Sequence, residues 1–220
     1  LYSVAAGFKP NMILHSLGFD NSTRMVFFDY STTALEVREM INTEWDGEDF
    51  PRFVRYLMKQ FPPGEVFYQL WAGLSPDEIA WDDLEQLWRN EIEKWGGEAT
   101  LKEHWTAFRD IRHEYVHCNL LTDRDGLLAA IDNQSNSAIW WSNAFFTISG
   151  NGRYTAEERK AIYDSWLGQL CDRNHENFIY GSDYNNINVN HIRIGDYLEQ
   201  YLTIGDNCLK PGRFYKHEIR

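Results

Sequence analysis

The chain has 220 residues, 43% apolar and 25% charged, with a formal charge of −12; this length suits one globular domain with a substantial core rather than a disordered chain. The excess of 33 acidic over 21 basic residues repels phosphate backbones and anionic membrane surfaces, which argues against nucleic acid as a partner. No apolar run reaches the roughly 18 residues of a membrane span and no charged leader precedes one, so the expected location is the cytoplasm.

In chain order, Leu1 to Ala6 is a short apolar run without an initiating Met, so residues are expected to be missing upstream. The run ends in Gly7. From Pro10-Asn11, apolar residues Met12, Ile13, Leu14 and Leu17 at helical spacing predict a helix, which Gly18 stops. Arg24 to Phe28 reads as a second strand closed by Asp29, and Thr32 to Ile41 as a second helix burying Ala34, Leu35, Val37 and Ile41. Residues 42 to 112 change character and read as a helical insertion after this second βα unit. Within it, Ser75-Pro-Asp-Glu78 has the form of a capping box, Ile79, Leu84, Leu87, Trp88 and Ile92 make an apolar face, and Gly96-Gly97 separates a further helix near Thr100 to Arg112.

Alternation then resumes. Tyr115 to Leu121 is predicted as a strand, Asp123 to Ile131 as a helix, and Ala138 to Trp141 as a strand ending in Ser142-Asn143. Thr155-Ala-Glu-Glu158 is a second capping box, starting a helix with Ile162, Trp166, Leu167 and Leu170 on one face. Asn177 to Tyr180 reads as the next strand, followed by a helix near Ile194 to Leu202 and a closing strand near Arg213 to Ile219. Five strands joined by helical crossovers call for an α/β fold: a Rossmann-like, mainly parallel sheet with helices on both faces. The nine Trp, twelve Tyr and thirteen Phe exceed what a minimal core needs, so they line a pocket or interface or add core packing. Cys118, Cys171 and Cys208 are odd in number and far apart, and read as free thiols.

Sheets of this type bind ligands beyond the carboxyl ends of their strands. A glycine after the first strand allows close backbone approach, and an acid after the second accepts hydrogen bonds from both ribose hydroxyls; Gly7 and Asp29 hold those places. The stretch Val26-Phe-Phe-Asp29-Tyr30-Ser31-Thr-Thr-Ala34-Leu35 resembles the second strand and helix start of class I S-adenosylmethionine-dependent methyltransferases, and the order of elements follows that family over about residues 1 to 183. The resemblance implies a donor site of Ser3, Ala5, Gly7, Asp29, Tyr30, Ser31, Asn119, Leu120, Ser142 and Asn143, with S-adenosylmethionine as cofactor, no metal, and a small-molecule or other non-nucleic-acid acceptor. The first turn departs from the family pattern: it has one glycine, places Ser3 and Ala5 where others would stand, and has no acid. Each position also has a plainer role, since Asp29 and Ser31 are common helix-start residues and Tyr30 can pack as readily as stack.

A rival lies at His113-Glu114-Tyr-Val-His117, which matches the zinc-hydrolase pattern H-E-x-x-H. That chemistry needs a helix. The apolar and β-branched residues around it predict a strand instead, and no third ligand announces itself. A non-catalytic Rossmann-like binding module is the third possibility.

Overall fold

In the computed structural model, placement is described for residues 1–61, 81–131, 137–142, 144–146, 152–182, 189–204 and 218–219. The chain is α/β with a mainly parallel sheet, compatible with a Rossmann-like fold. It divides into two compact units, residues 5–115 and residues 1–4 with 116–220.

The unit of residues 5–115 begins with the turn after the first strand and continues into α1 (Lys9–Leu17), whose Pro10 sits where the missing N–H costs nothing. Strand β2 (Arg24–Asp29) buries Met25 to Phe28 completely, as a strand covered on both faces must. Helix α2 (Thr32–Glu44) is capped by Ser31, whose hydroxyl accepts the Ala34 N–H at 3.2 Å. The insertion is helical, as its pattern predicts: α3 (Phe50–Gln60), α4 (Trp81–Lys94) and α5 (Glu98–Arg109). Gly96 and Gly97 separate the last two with φ of 74° and 128°, values that favour glycine. The Ser75 to Glu78 box and Ile79 lie outside the described residues.

These helices meet on aromatic rings. Phe8, Trp45, Phe50, Trp88 and Trp105 form one cluster with centroid separations from 4.5 to 6.4 Å, and each is at most 7% exposed. The Trp105 indole N–H donates to the Trp45 carbonyl at 2.9 Å, and the Trp45 indole N–H to the Glu48 carbonyl at 2.6 Å. Of the two uses that the abundant aromatics suggested, core packing accounts for this group.

Strand β3 (Arg112–His117) starts three residues before the predicted Tyr115 and ends at His117 instead of Leu121. Asn119 is the reason for the early end. Its backbone exchanges hydrogen bonds with Asp123 and its Oδ1 accepts the Leu121 N–H at 3.0 Å, so residues 118–123 close into a tight turn.

In the other unit, β1 (Tyr2–Val4), β4 (Ala138–Trp140), β5 (Phe178–Ser182), β6 (Val189–Arg193) and β7 (Glu218–Ile219) lie in that order. The β1–β4 and β4–β5 pairs are parallel, with Ile139 opposite Tyr2 and Ile179, while β5–β6 and β6–β7 are antiparallel. Strand β6 is unanticipated, because a Val-Asn-His-Ile-Arg sequence carries too few apolar residues to announce itself. Helices α6 (Asp125–Ala130), α7 (Ala156–Arg173) and α8 (Ile194–Ile204) complete the unit. The Thr155 capping box is formed in both directions, with Glu158 N–H to Thr155 Oγ1 at 3.2 Å and Thr155 N–H to Glu158 Oε2 at 2.7 Å. Trp166, Leu167 and Leu170 are buried as predicted, joined by Tyr163. Cys118 and Cys171 form no disulfide among the described residues, and Cys208 lies outside them. No helix among the described residues is long and apolar enough to cross a membrane.

Candidate functional site

Four of the expected donor residues share the first unit with the turn at Ala5. The Ala5 N–H donates to the Phe28 carbonyl at 3.2 Å, which ties the beginning of the β1–α1 turn to the residue before Asp29. Gly7 adopts φ 67° within this turn, a conformation that a side chain would strain. Asp29 ends β2 half-buried; its Oδ1 accepts the Ser31 N–H at 3.0 Å, so one carboxylate oxygen shapes the loop into α2. Tyr30 is 56% exposed, and Ser31 is committed to capping α2. Ala5 itself is buried, which leaves its backbone to serve the turn.

The remaining expected residues belong to the other unit. Ser3 is fully buried within β1 and its hydroxyl bonds to the Val4 carbonyl at 3.0 Å. Asn119 is engaged in its own turn, and Leu120 is 5% exposed. Ser142, just after β4, has φ 56°, an uncommon conformation for a residue with a side chain. Asn143 lies outside the described residues.

The residue that the sequence pattern did not single out is Arg38. It stands on the buried face of α2, one turn from Ala34 and from Ile41, and is 1% exposed. Its Nε donates to the Ala5 carbonyl at 2.7 Å and its Nη2 to the Gly7 carbonyl at 2.5 Å, while its guanidinium carbon sits 5.0 Å from the centre of the Phe27 ring. Burial lowers its pKa to about 10, partly offset by Tyr115, so the group is still a cation at neutral pH. Around it, Tyr115 stacks on Phe27 at 6.0 Å and accepts from Asn42 Nδ2 at 3.0 Å. His113 is pushed down to about 4, first by burial and then by the Arg38 charge. A cation at a position of the α2 apolar stripe was the available signal.

The H-E-x-x-H residues occupy β3. Positions four apart on a strand are separated by about 13 Å, too far to share one zinc. Among the described residues no group of three His, Cys, Asp or Glu side chains could hold a metal ion. No family model, curated protein or solved structure matches the chain.

Proposed function

We propose that the chain binds S-adenosylmethionine beyond the carboxyl end of β2 and transfers its methyl group to a small-molecule or other non-nucleic-acid acceptor. The observation that carries this reading is Asp29, a half-buried carboxylate that closes β2 beside the Gly7 turn and whose Oδ1 accepts the Ser31 N–H. A carboxylate there suits the paired hydroxyls of a ribose, and the exposed Tyr30 ring next to it offers a face on which a base stacks. When bound, the sulfonium supplies an activated methyl group. The protein then has to hold donor and acceptor in line, a task of orientation rather than of proton transfer.

Calorimetry with S-adenosylhomocysteine tests the proposal. The wild type should bind it and Asp29→Asn should bind it more weakly, because the amide keeps the Ser31 contact but loses the charge that favours two hydroxyl donors. Absence of binding to the wild type, or equal binding by Asp29→Ala, would remove the donor site.

A further inference from the structure

Arg38, His113 and Tyr115 meet on the Phe27 ring of β2, and Asn42, one turn after Arg38 on the buried face of α2, joins them through the Tyr115 hydroxyl. Arg38 gives Nε and Nη2 to the Ala5 and Gly7 carbonyls, while its remaining nitrogen, Nη1, has no acceptor and the residue is 1% exposed. Although the chain has 33 acidic residues, no carboxylate among those described pairs with this cation, and Glu39, next to it in sequence, is exposed. A buried donor without an acceptor and a buried charge without a counter-charge are both costly. A small anion answers both.

The neighbouring groups suit such an occupant. Asn42 and Tyr115 use one hydrogen in their mutual bond of 3.0 Å and keep others, so a donor is left over whichever way the amide is turned. The far end of that amide is itself without a partner, in a residue 2% exposed. Burial and the Arg38 charge hold His113 down to about 4, so it is neutral at pH 7, and its single ring proton serves either the Phe108 backbone or, on Nε2, an occupant. The surrounding rings restrict the occupant to a compact ion, and burial favours a single charge over a double one. We infer that Arg38, with Tyr115 and Asn42, forms a binding site between α2 and β3 for a small monovalent anion, a halide such as chloride. The ion completes the shell of the guanidinium that grips the β1–α1 turn, which couples its occupancy to the firmness of that turn. The site does not depend on the methyl-donor reading.

Urea denaturation of the full chain at pH 7 tests the proposal, with chloride replacing gluconate at constant ionic strength so that screening is unchanged. In the wild type each tenfold rise in chloride should lower the unfolding constant by about threefold or more, toward the tenfold limit for an ion bound only by the folded chain. Arg38→Met should show no such dependence, whatever its own stability. Asn42→Asp should lose it too, because a carboxylate one turn from Arg38 gives the protein a counter-ion of its own. A wild type indifferent to chloride, or a dependence that persists undiminished in either variant, overturns the inference. Should Arg38→Met fail to fold, bromide decides: wild-type crystals soaked in bromide should show an anomalous-scattering peak within hydrogen-bond distance of Arg38 Nη1, and the absence of a peak there overturns the proposal.

Discussion

Lowering the pH from 7 to 5 should weaken the fold through its buried histidines, of which His104 is the more deeply buried and the more strongly shifted. It is 4% exposed in α5, with its ring 4.7 Å from Trp95, 5.2 Å from Phe19 and stacked on Phe108 at 5.9 Å. Asn11 Nδ2 lies 3.5 Å from its Nε2, its Nδ1 has no partner among the described residues, and the His15 ring lies 5.5 Å away. Burial, assisted by His15, lowers its pKa from 6.5 to about 3. The folded chain thus refuses a proton that the unfolded chain accepts. Stability is complete above the unfolded value and is lost as pH falls from 6.5 toward 3. Integrating the linkage relation between pH 7 and pH 5 gives about 2 kcal/mol, an order-of-magnitude figure, in a window where most carboxylates are still ionised. Urea titrations at both pH values, on wild type and His104→Phe, measure it. The variant should lose about 2 kcal/mol less than the wild type over this interval, and the residual slope should carry the His113 contribution, which has the same sign. An equal loss in both proteins would refute the assignment of the acid sensitivity to His104.

Other substitutions probe the local accounts. Gly47→Ala should destabilise by roughly 2 kcal/mol or more in a thermal melt, because φ is +88° and the new Cβ would lie 2.9 Å from the fully buried Trp105 ring; an unchanged melting temperature would show that the ring gives way freely. Thr155→Ala should cost about 1 kcal/mol by removing one arm of the α7 capping box, with the loss confined to exchange of the first-turn amides if the helix frays locally. Phe8→Ala should cost roughly 3–5 kcal/mol in chemical denaturation, since it empties a place among four other buried rings; a much smaller loss would mean that the cluster closes around the gap. Stoichiometric zinc in the purified protein that vanished in His117→Ala would contradict the strand geometry of β3.

Periodicity made most elements legible. The capped helices were found because Ser31 and Thr155 satisfy helix N–H groups through local chemistry that depends on a few adjacent residues. The end of β3 was misplaced because Leu120 and Leu121 are as apolar as strand residues, and only the backbone bonds of Asn119 with Asp123 reveal the turn. Strand β6 was missed because its pairing with β5 is a tertiary fact, from Phe178 opposite Arg193 to Ser182 opposite Val189. In the candidate site the positions of Gly7 and Asp29 were readable because both follow strands, whereas the commitment of Ser3 to the interior of β1 is visible only in its burial. Arg38 escaped for a related reason: a single charged residue on an apolar stripe reads as an interruption until its distant partners, Ala5 and Gly7, are placed.

Arg38 also bears on how a turn with one glycine is held in a Rossmann-like fold. Glycines set such a turn from within, by making left-handed backbone accessible at no steric cost. Here only Gly7 does so, and the neighbouring peptide planes are set from outside, by a guanidinium that fixes two carbonyls while Phe8 is anchored in the aromatic cluster. External fixing has a cost. Burying an unpaired cation is unfavourable by several kcal/mol, against about 1.5–3 kcal/mol gained from each charged hydrogen bond and a smaller cation–π term. Arg38→Met relieves the buried charge but leaves the Ala5 and Gly7 carbonyls without their donor, at about 1–3 kcal/mol for each that is buried, so it should lower the denaturation midpoint. What the methionine cannot reproduce is the fixing of the Ala5 and Gly7 carbonyls. A midpoint equal to that of the wild type would show that the turn keeps its shape without the guanidinium.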